Sequence, residues 1–286
     1  MTTVASRQAH RSKLMNSYEY NMNLCSIASG SSGNCIYTGT QKCGILIDAG
    51  ISAKRIEQGL ASIDRDIKEI KGIFVSHEHS DHIKGIGVLA RKHHIPIYGT
   101  RGTIEAIKHT SCLGAIDEEL YHVIRAEEEV QIDDLVVKPF KISHDAAAPV
   151  AYRMECGSKS AAIATDLGFY NQEIVDKLQN LDVLLLESNH DTHMLQVGGY
   201  PYPLKQRILS DRGHLSNESA GKLLCHFLHD DLKAVFLGHL SKENNYEELA
   251  YETVKLEIAF GSEKYKPDDF LIEVAKRDSV SRMMEF

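Results

Sequence analysis

Seven consecutive residues, Ser76-His77-Glu78-His79-Ser80-Asp81-His82, constrain this chain more than any others. They follow directly on Gly72-Ile73-Phe74-Val75, a short apolar run that reads as a buried strand. Three imidazoles and one carboxylate at H-x-H-x-D-H spacing therefore leave the end of a strand in one compact loop. His77 and His79 can reach one metal ion, while Asp81 and His82 face a second. Imidazole and carboxylate ligands of this kind suit zinc, manganese or iron. A merely solvated polar loop has no reason to concentrate these groups so densely.

Around this segment the chain alternates short apolar runs with helical patterns. Strands are expected at Leu24–Ala28, Cys35–Tyr37, Gly44–Ile47, Gly72–Ser76, Ile97–Tyr98, Leu135–Ile142, Val150–Met154, Ala161–Ala164, Asp182–Leu186 and Ala234–Leu237. Helices are expected from the Ser52 cap to about Leu60, over Ile83–His93, Thr103–His109, Gln172–Leu178 and Tyr246–Ala259, with residues 188–231 mostly helical. Strand clusters interleaved with helices imply sheets packed face to face with helices outside. A length of 286 residues allows one large α/β domain or two small ones. With no internal repeat, a single domain over 22–286 is the better reading. Residues 1–21 are polar and mildly basic without the apolar stretch of a secretory signal, and are read as a flexible leader.

No run of about 18 apolar residues is present, which argues against a membrane span. The six cysteines form no C-x-x-C pair, so buried free thiols and a cytoplasmic setting are expected. Net charge is −8, against a broad basic face for a phosphate backbone. Any nucleic-acid contact must be local, at short clusters such as Arg91-Lys92 and Lys205-Gln206-Arg207, or carried by bound metal.

Four more residues follow strand-like runs: Asp48 in Ile47-Asp48-Ala49-Gly50, His144 in Ser143-His144-Asp145, Asp166 in Thr165-Asp166, and His239 in Gly238-His239. Alone, each is an ordinary polar residue at a strand end, or for Asp166 a helix cap. Together with the histidine motif and in this order, they resemble the metallo-β-lactamase superfamily over most of Met22 to about Asn245. That resemblance implies a four-layer αββα sandwich with a dinuclear metal site at one edge. It assigns His77, His79 and His144 to one ion and Asp81, His82 and His239 to the other, with Asp166 bridging. Asp48 would orient a ligand through hydrogen bonds. Two such ions, about 3.5–4 Å apart, share a water whose pKa falls from near 16 towards about 7. Asp81 would also hold the resulting hydroxide in place.

Three further segments resemble the YycJ/WalJ-type group of that superfamily: Ala28-Ser29-Gly30-Ser31-Ser32-Gly33-Asn34, Glu187-Ser188-Asn189-His190-Asp191 and Gly213-His214-Leu215-Ser216-Asn217. The resemblance implies a phosphodiesterase or nuclease acting on DNA, in which metal-activated hydroxide attacks phosphorus. Ser31, Ser32 and Asn34 would meet a phosphate, and Asn189 and His190 would line the substrate pocket. His214 would be the general acid that protonates the leaving alkoxide. A glyoxalase-II-like thioester hydrolase and a small-molecule (cyclic) phosphodiesterase are the competing readings of the same ligand set.

Overall fold

Side-chain alternation along the strands decides the architecture. The computed structural model describes residues 21–286, so the expected leader lies, but for Asn21, outside the described residues. Asn23–Ala28 (β1), Cys35–Gly39 (β2), Gly44–Ile47 (β3), Ile70–Phe74 (β4), Ile97–Thr100 (β5) and Tyr121–Ile124 (β6) pair in sequential order into one sheet. Val130–Ile132 (β7), Leu135–Lys141 (β8), Val150–Cys156 (β9), Lys159–Ala164 (β10), Val183–Glu187 (β11), Ala234–Gly238 (β12) and Leu271–Val274 (β13) form the second, likewise in sequential order. Met284–Glu285 (β14) closes the first sheet beside β1.

On β3, Ile45 and Ile47 face the second sheet while Leu46 faces outward, and on β11 Val183 and Leu185 face the first sheet while Leu184 and Leu186 face outward. Each sheet is thus apolar on both faces and must be covered twice. Ala53–Ser62 (α1), Ser80–Ile83 (α2), Ile86–His93 (α3) and Arg101–Lys108 (α4) cover the first through Ile56, Leu60, Leu89 and Ile104. On the second sheet lie Gln172–Lys177 (α5), Asn217–Cys225 (α8) and Glu247–Gly261 (α9), through Val175, Leu223 and Val254; Thr192–Val197 (α6) and Tyr202–Ile208 (α7) fall between α5 and α8. The four layers are the αββα sandwich expected from the sequence.

The interlayer core also anchors the histidine motif. Phe74 stacks on Tyr98 at 4.5 Å and meets the edge of Tyr152. The Tyr152 hydroxyl donates to the Val75 carbonyl at 2.7 Å, and Val150 N–H donates to the Ser76 carbonyl at 3.0 Å. The second sheet therefore holds the chain as it leaves β4.

Several expectations need correction. The single helix expected over Ile83–His93 is broken between α2 and α3, because Gly85 donates to the Ala49 carbonyl at 2.7 Å and sits against backbone. Residues 188–231 hold three short helices separated by turns at Gly198-Gly199 and Ser210–Leu215. Strands β6, β7, β13 and β14 were not expected: they are short, and each is an edge strand of its sheet, where exposure removes the apolar run. All six cysteines are free, but Cys112 is exposed and Cys225 only half-buried.

Candidate functional site

Strand direction brings the polar residues to one edge. β3 runs parallel to β4, and β10, β11 and β12 run parallel to one another, so each set of carboxyl ends opens the same way. Asp48 follows β3, Ser76-His77 follow β4, His144 follows β8, Asp166 follows β10, Glu187 ends β11 and His239 follows β12. Asp48, Asp166 and His239 have φ of 61°, 59° and 56°, the left-handed region that non-glycine residues seldom occupy. Three such conformations at one sheet edge turn side chains into a shared space at a backbone cost of about 1–3 kcal/mol each.

Within that space, the ligating atoms of His77, His79 and His144 lie within 4.8 Å of one another, as do those of Asp81, His82 and His239. Asp166 lies between the two groups. Its Oδ2 is 3.3 Å from His82 Nε2, and its Oδ1 is 3.6 Å from both His144 Nε2 and His239 Nδ1. His77 Nε2, His239 Nε2 and Asp166 Oδ2 are buried and make no hydrogen bond among the described residues. Buried polar atoms without partners are rare. Clustered lone pairs that face one another without bonding suit cations held between them, so the residues present fit divalent metal binding.

The far sides of the rings are tied down. His82 Nδ1 donates to Asp48 Oδ2 at 2.7 Å, and Asp48 also accepts from Ser76 N and Oγ, each at 2.8 Å. His144 Nδ1 donates to the Gly213 carbonyl at 3.1 Å. His239 Nδ1 donates to Glu187 Oε1 at 2.7 Å, and His214 Nδ1 donates to the same oxygen at 2.9 Å. Each bond fixes a ring through Nδ1 and leaves Nε2 on its opposite side, the arrangement found behind metal-ligating histidines.

Charge follows the same division. Burial pushes the His77 imidazole down, helped by His82 and His144 nearby, and burial also lowers His144 against the pull of Asp166. Both rings are neutral, as ligands must be. Burial opposes protonation of His82 and His239 too, but the carboxylates around them together outweigh it, Asp166 with Asp48 and Asp81 for His82 and Asp166 with Asp81 and Glu187 for His239, raising His82 well above its ordinary value and His239 to about 10. Burial would raise the Asp81 and Glu187 carboxyls, yet His82 holds Asp81, and His214 holds Glu187, below the usual carboxylate range. Three buried carboxylates (Asp48, Asp166, Glu187) and the half-buried Asp81 are thus balanced by protons that a metal ion would displace.

Gly50 makes this packing possible: a Cβ there would lie 1.6 Å from the Asp81 carbonyl oxygen. Gly50→Ala must push the backbone of the H-x-H-x-D-H loop aside. The expected loss exceeds the about 1–3 kcal/mol of ordinary overpacking, with metal stoichiometry falling in parallel. Urea denaturation together with metal analysis checks it; full metal content at unchanged stability would contradict this packing account.

The residues expected at the substrate pocket are placed unequally. Ser31 and Ser32 are exposed on the turn after β1. Asn34 is buried; its amide pairs with both backbone groups of Gly30, and its Nδ2 lies 3.2 Å from His82 Nε2. Asn189 is buried too and donates to the His239 carbonyl at 2.8 Å. His190 is 1% exposed, and neither ring nitrogen has a hydrogen-bond partner among the described residues; burial lowers it to about 4. Asp191 caps α6 through Met194 N–H. His214 stands at the cluster, its ring 5.1 Å from His144 and 5.3 Å from His239. Sequence reasoning missed Glu187, which is fully buried and also accepts from Leu167 and Leu215 N–H. An acidic residue closing the apolar run Val183–Leu186 was the available signal.

The β-lactamase superfamily domain matches residues 44–233. The exodeoxyribonuclease WalJ of Streptococcus pneumoniae is 42% identical over 233 residues, covering 82% of this chain and 87% of that protein. The exodeoxyribonuclease YycJ of Bacillus anthracis is 39% identical over 228 residues, covering 80% and 86%. Among solved structures, the metallo-β-lactamase fold protein YhfI from Bacillus subtilis superposes with a TM-score of 0.66 at 16% identity, covering 94% of this chain and all of that one. The chain belongs to the β-lactamase superfamily, in the family of the WalJ and YycJ proteins.

Proposed function

We propose that this chain is a metal-dependent phosphodiesterase that degrades DNA. The observation that carries the reading is the paired ligand cluster with Glu187 and His214 beside it, in a chain 42% identical to an exodeoxyribonuclease. His77, His79 and His144 would hold one divalent ion and Asp81, His82 and His239 the other, with Asp166 shared. Zinc or manganese suits these ligands, and iron is compatible with them. When bound, such ions neutralise charge on a phosphoryl oxygen and lower the pKa of water to about 7.

The chain's own groups supply the rest. Asp48, Glu187 and the Gly213 carbonyl hold three rings in the tautomer that presents Nε2. The Asp81 side chain is 24% exposed, open enough to accept a hydrogen bond from the attacking water. Because His214 Nδ1–H is engaged by Glu187, its Nε2 carries the mobile proton and can deliver it to the leaving oxygen. Ser31 and Ser32, on the exposed turn, would meet substrate phosphate, whereas Asn34 and Asn189 would serve by fixing backbone. No helix among the described residues is long and apolar enough to cross a membrane. The free thiols suit a reducing compartment, and we place the enzyme in the cytoplasm. Residues 22–286 are taken as one folding unit.

Metal-reconstituted protein should hydrolyse bis-p-nitrophenyl phosphate and end-labelled DNA and leave a lactoylglutathione thioester nearly untouched. Thioester turnover exceeding phosphodiester turnover by orders of magnitude under the same metal loading would overturn the proposal.

A further inference from the structure

An open cavity of about 780 Å³ lies between the start of α4, the end of β6 and the chain from β8 into β9. Arg101, Arg125 and Lys141 line it, with Glu128 as its one carboxylate. None of the three cations takes part in an ion pair among the described residues, unlike the nearby Lys138 with Glu129 and Glu155, or Lys177 with Glu127. In a chain of net charge −8, three unpaired cations on one concave surface are a local reversal of sign. Arg101 also opens α4, where the helix's positive end adds to the field.

The cavity shares a wall with the metal-ligand cluster. Ile142, Ala148, Pro149 and Val150 line it and belong to the segment that carries His144. Ile142 is two residues from His144, at most about 7 Å along the chain. The segment is fixed at both sides: Ala148 O accepts from Thr100 Oγ1 at 2.8 Å, and Ala147 N–H donates to Glu78 Oε1, inside the histidine motif, at 2.8 Å. Whatever occupies the cavity is therefore held in a set position relative to His144.

We propose that this cavity binds the backbone of a polynucleotide strand, through phosphates flanking the one placed at the metal-ligand cluster. The inference rests on the phosphodiesterase reading above and deepens it: the substrate is a strand with successive phosphates, since a phosphodiester with a single phosphate has no second one to offer. Guanidinium groups suit phosphate oxygens by charge and paired donors, and contacts of this kind position a strand without reading its sequence.

The test uses metal-loaded protein, a fluorescently labelled phosphorothioate 12-mer for binding, and the ordinary 12-mer and bis-p-nitrophenyl phosphate for turnover. Each phosphate neutralised on a single strand contributes about 0.7 to the slope of log K against log salt. The combined change Arg101→Gln, Arg125→Gln, Lys141→Gln should flatten that slope by about 2 and lower the strand-to-ester ratio of kcat/KM at least about tenfold. A control removing three charges from exposed positions elsewhere, Lys54→Gln, Lys68→Gln, Lys71→Gln, should leave both values as in the parent. An unchanged slope and ratio in the cavity variant, with the parent still cleaving the strand, would overturn the inference and leave the phosphodiesterase reading standing. Equal changes in the control would also overturn it, by showing that only net charge matters. A parent that hydrolyses neither phosphodiester would fail the reading itself, and the inference with it.

Discussion

With His77→Ala and His79→Ala combined, the protein should lose at least one metal ion per chain and its phosphodiester turnover should fall to the background rate. Both side chains belong to the group completed by His144, and His77 also lies within 4.8 Å of the ligating atoms of His82 and Asp166. The double change therefore empties one ion position and removes a neighbour of the other. Fold stability provides an independent readout. In the metal-free protein, His77 Nε2 makes no hydrogen bond among the described residues, but the ring is fully buried and its Nδ1 lies 3.0 Å from Ser76 Oγ, so its removal has a packing cost that does not depend on metal. In the metal-loaded protein, bound ligand stabilises the native state by RT ln(1 + [L]/Kd), and that increment should shrink. The expected pattern is a chelator-sensitive melting temperature in the parent and a much smaller chelator effect in the variant, each read against its own metal-free value. Two ions per chain retained in the double variant would refute the ligand assignment.

Asp48 tests the level behind the ligands. Its carboxylate accepts from Ser76 twice and from His82 Nδ1, and it is 1% exposed. These contacts explain why one part of the site was legible in the sequence and another was not. A local pattern gathers His77, His79, Asp81 and His82 in one loop, whereas Asp48, Asp166 and His239 each follow a strand-like run and drew a role only from their order and the family resemblance. Their convergence depends on parallel strand order, which sets carboxyl ends side by side and follows from the interleaved helices. Glu187 depends on tertiary placement. Nothing in Val183-Leu184-Leu185-Leu186-Glu187 says that two imidazoles 27 and 52 residues later donate to one of its oxygens.

The Gly/Ser turn shows the opposite error. Ser31, Ser32 and Asn34 are equivalent on paper as phosphate donors. The chain separates them, because Gly33 (φ 156°) and the Gly30–Asn34 pairing turn the asparagine inward and leave the serines in solvent. Edge strands were illegible for a simpler reason: Tyr121-His122-Val123-Ile124 exposes His122 and Val123, so its pattern matches neither a buried run nor a clean alternation.

His214→Ala should keep the fold and both ion positions, because Glu187 still accepts from His239 and from the Leu167 and Leu215 amides. Its cost should fall on turnover, about 10²- to 10⁴-fold as for other general acids. The size of the loss should depend on the leaving group. A deoxyribose alkoxide must gain a proton as the phosphorus–oxygen bond breaks, so DNA cleavage should show the full effect. A p-nitrophenolate leaves without one, so bis-p-nitrophenyl phosphate should be nearly indifferent. The geometry is consistent with this division of labour: the His214 ring is 14% exposed while His239, bound to the same Glu187 oxygen, is buried. His239 is enclosed within the ligand cluster, while His214 keeps part of its ring open to solvent. His144→Ala supplies the contrast, since loss of a ligand should lower metal content and impair both substrates together. Equal losses on the two substrates with metal retained would make His214 a positioning residue, and no loss on either would remove it from the reaction.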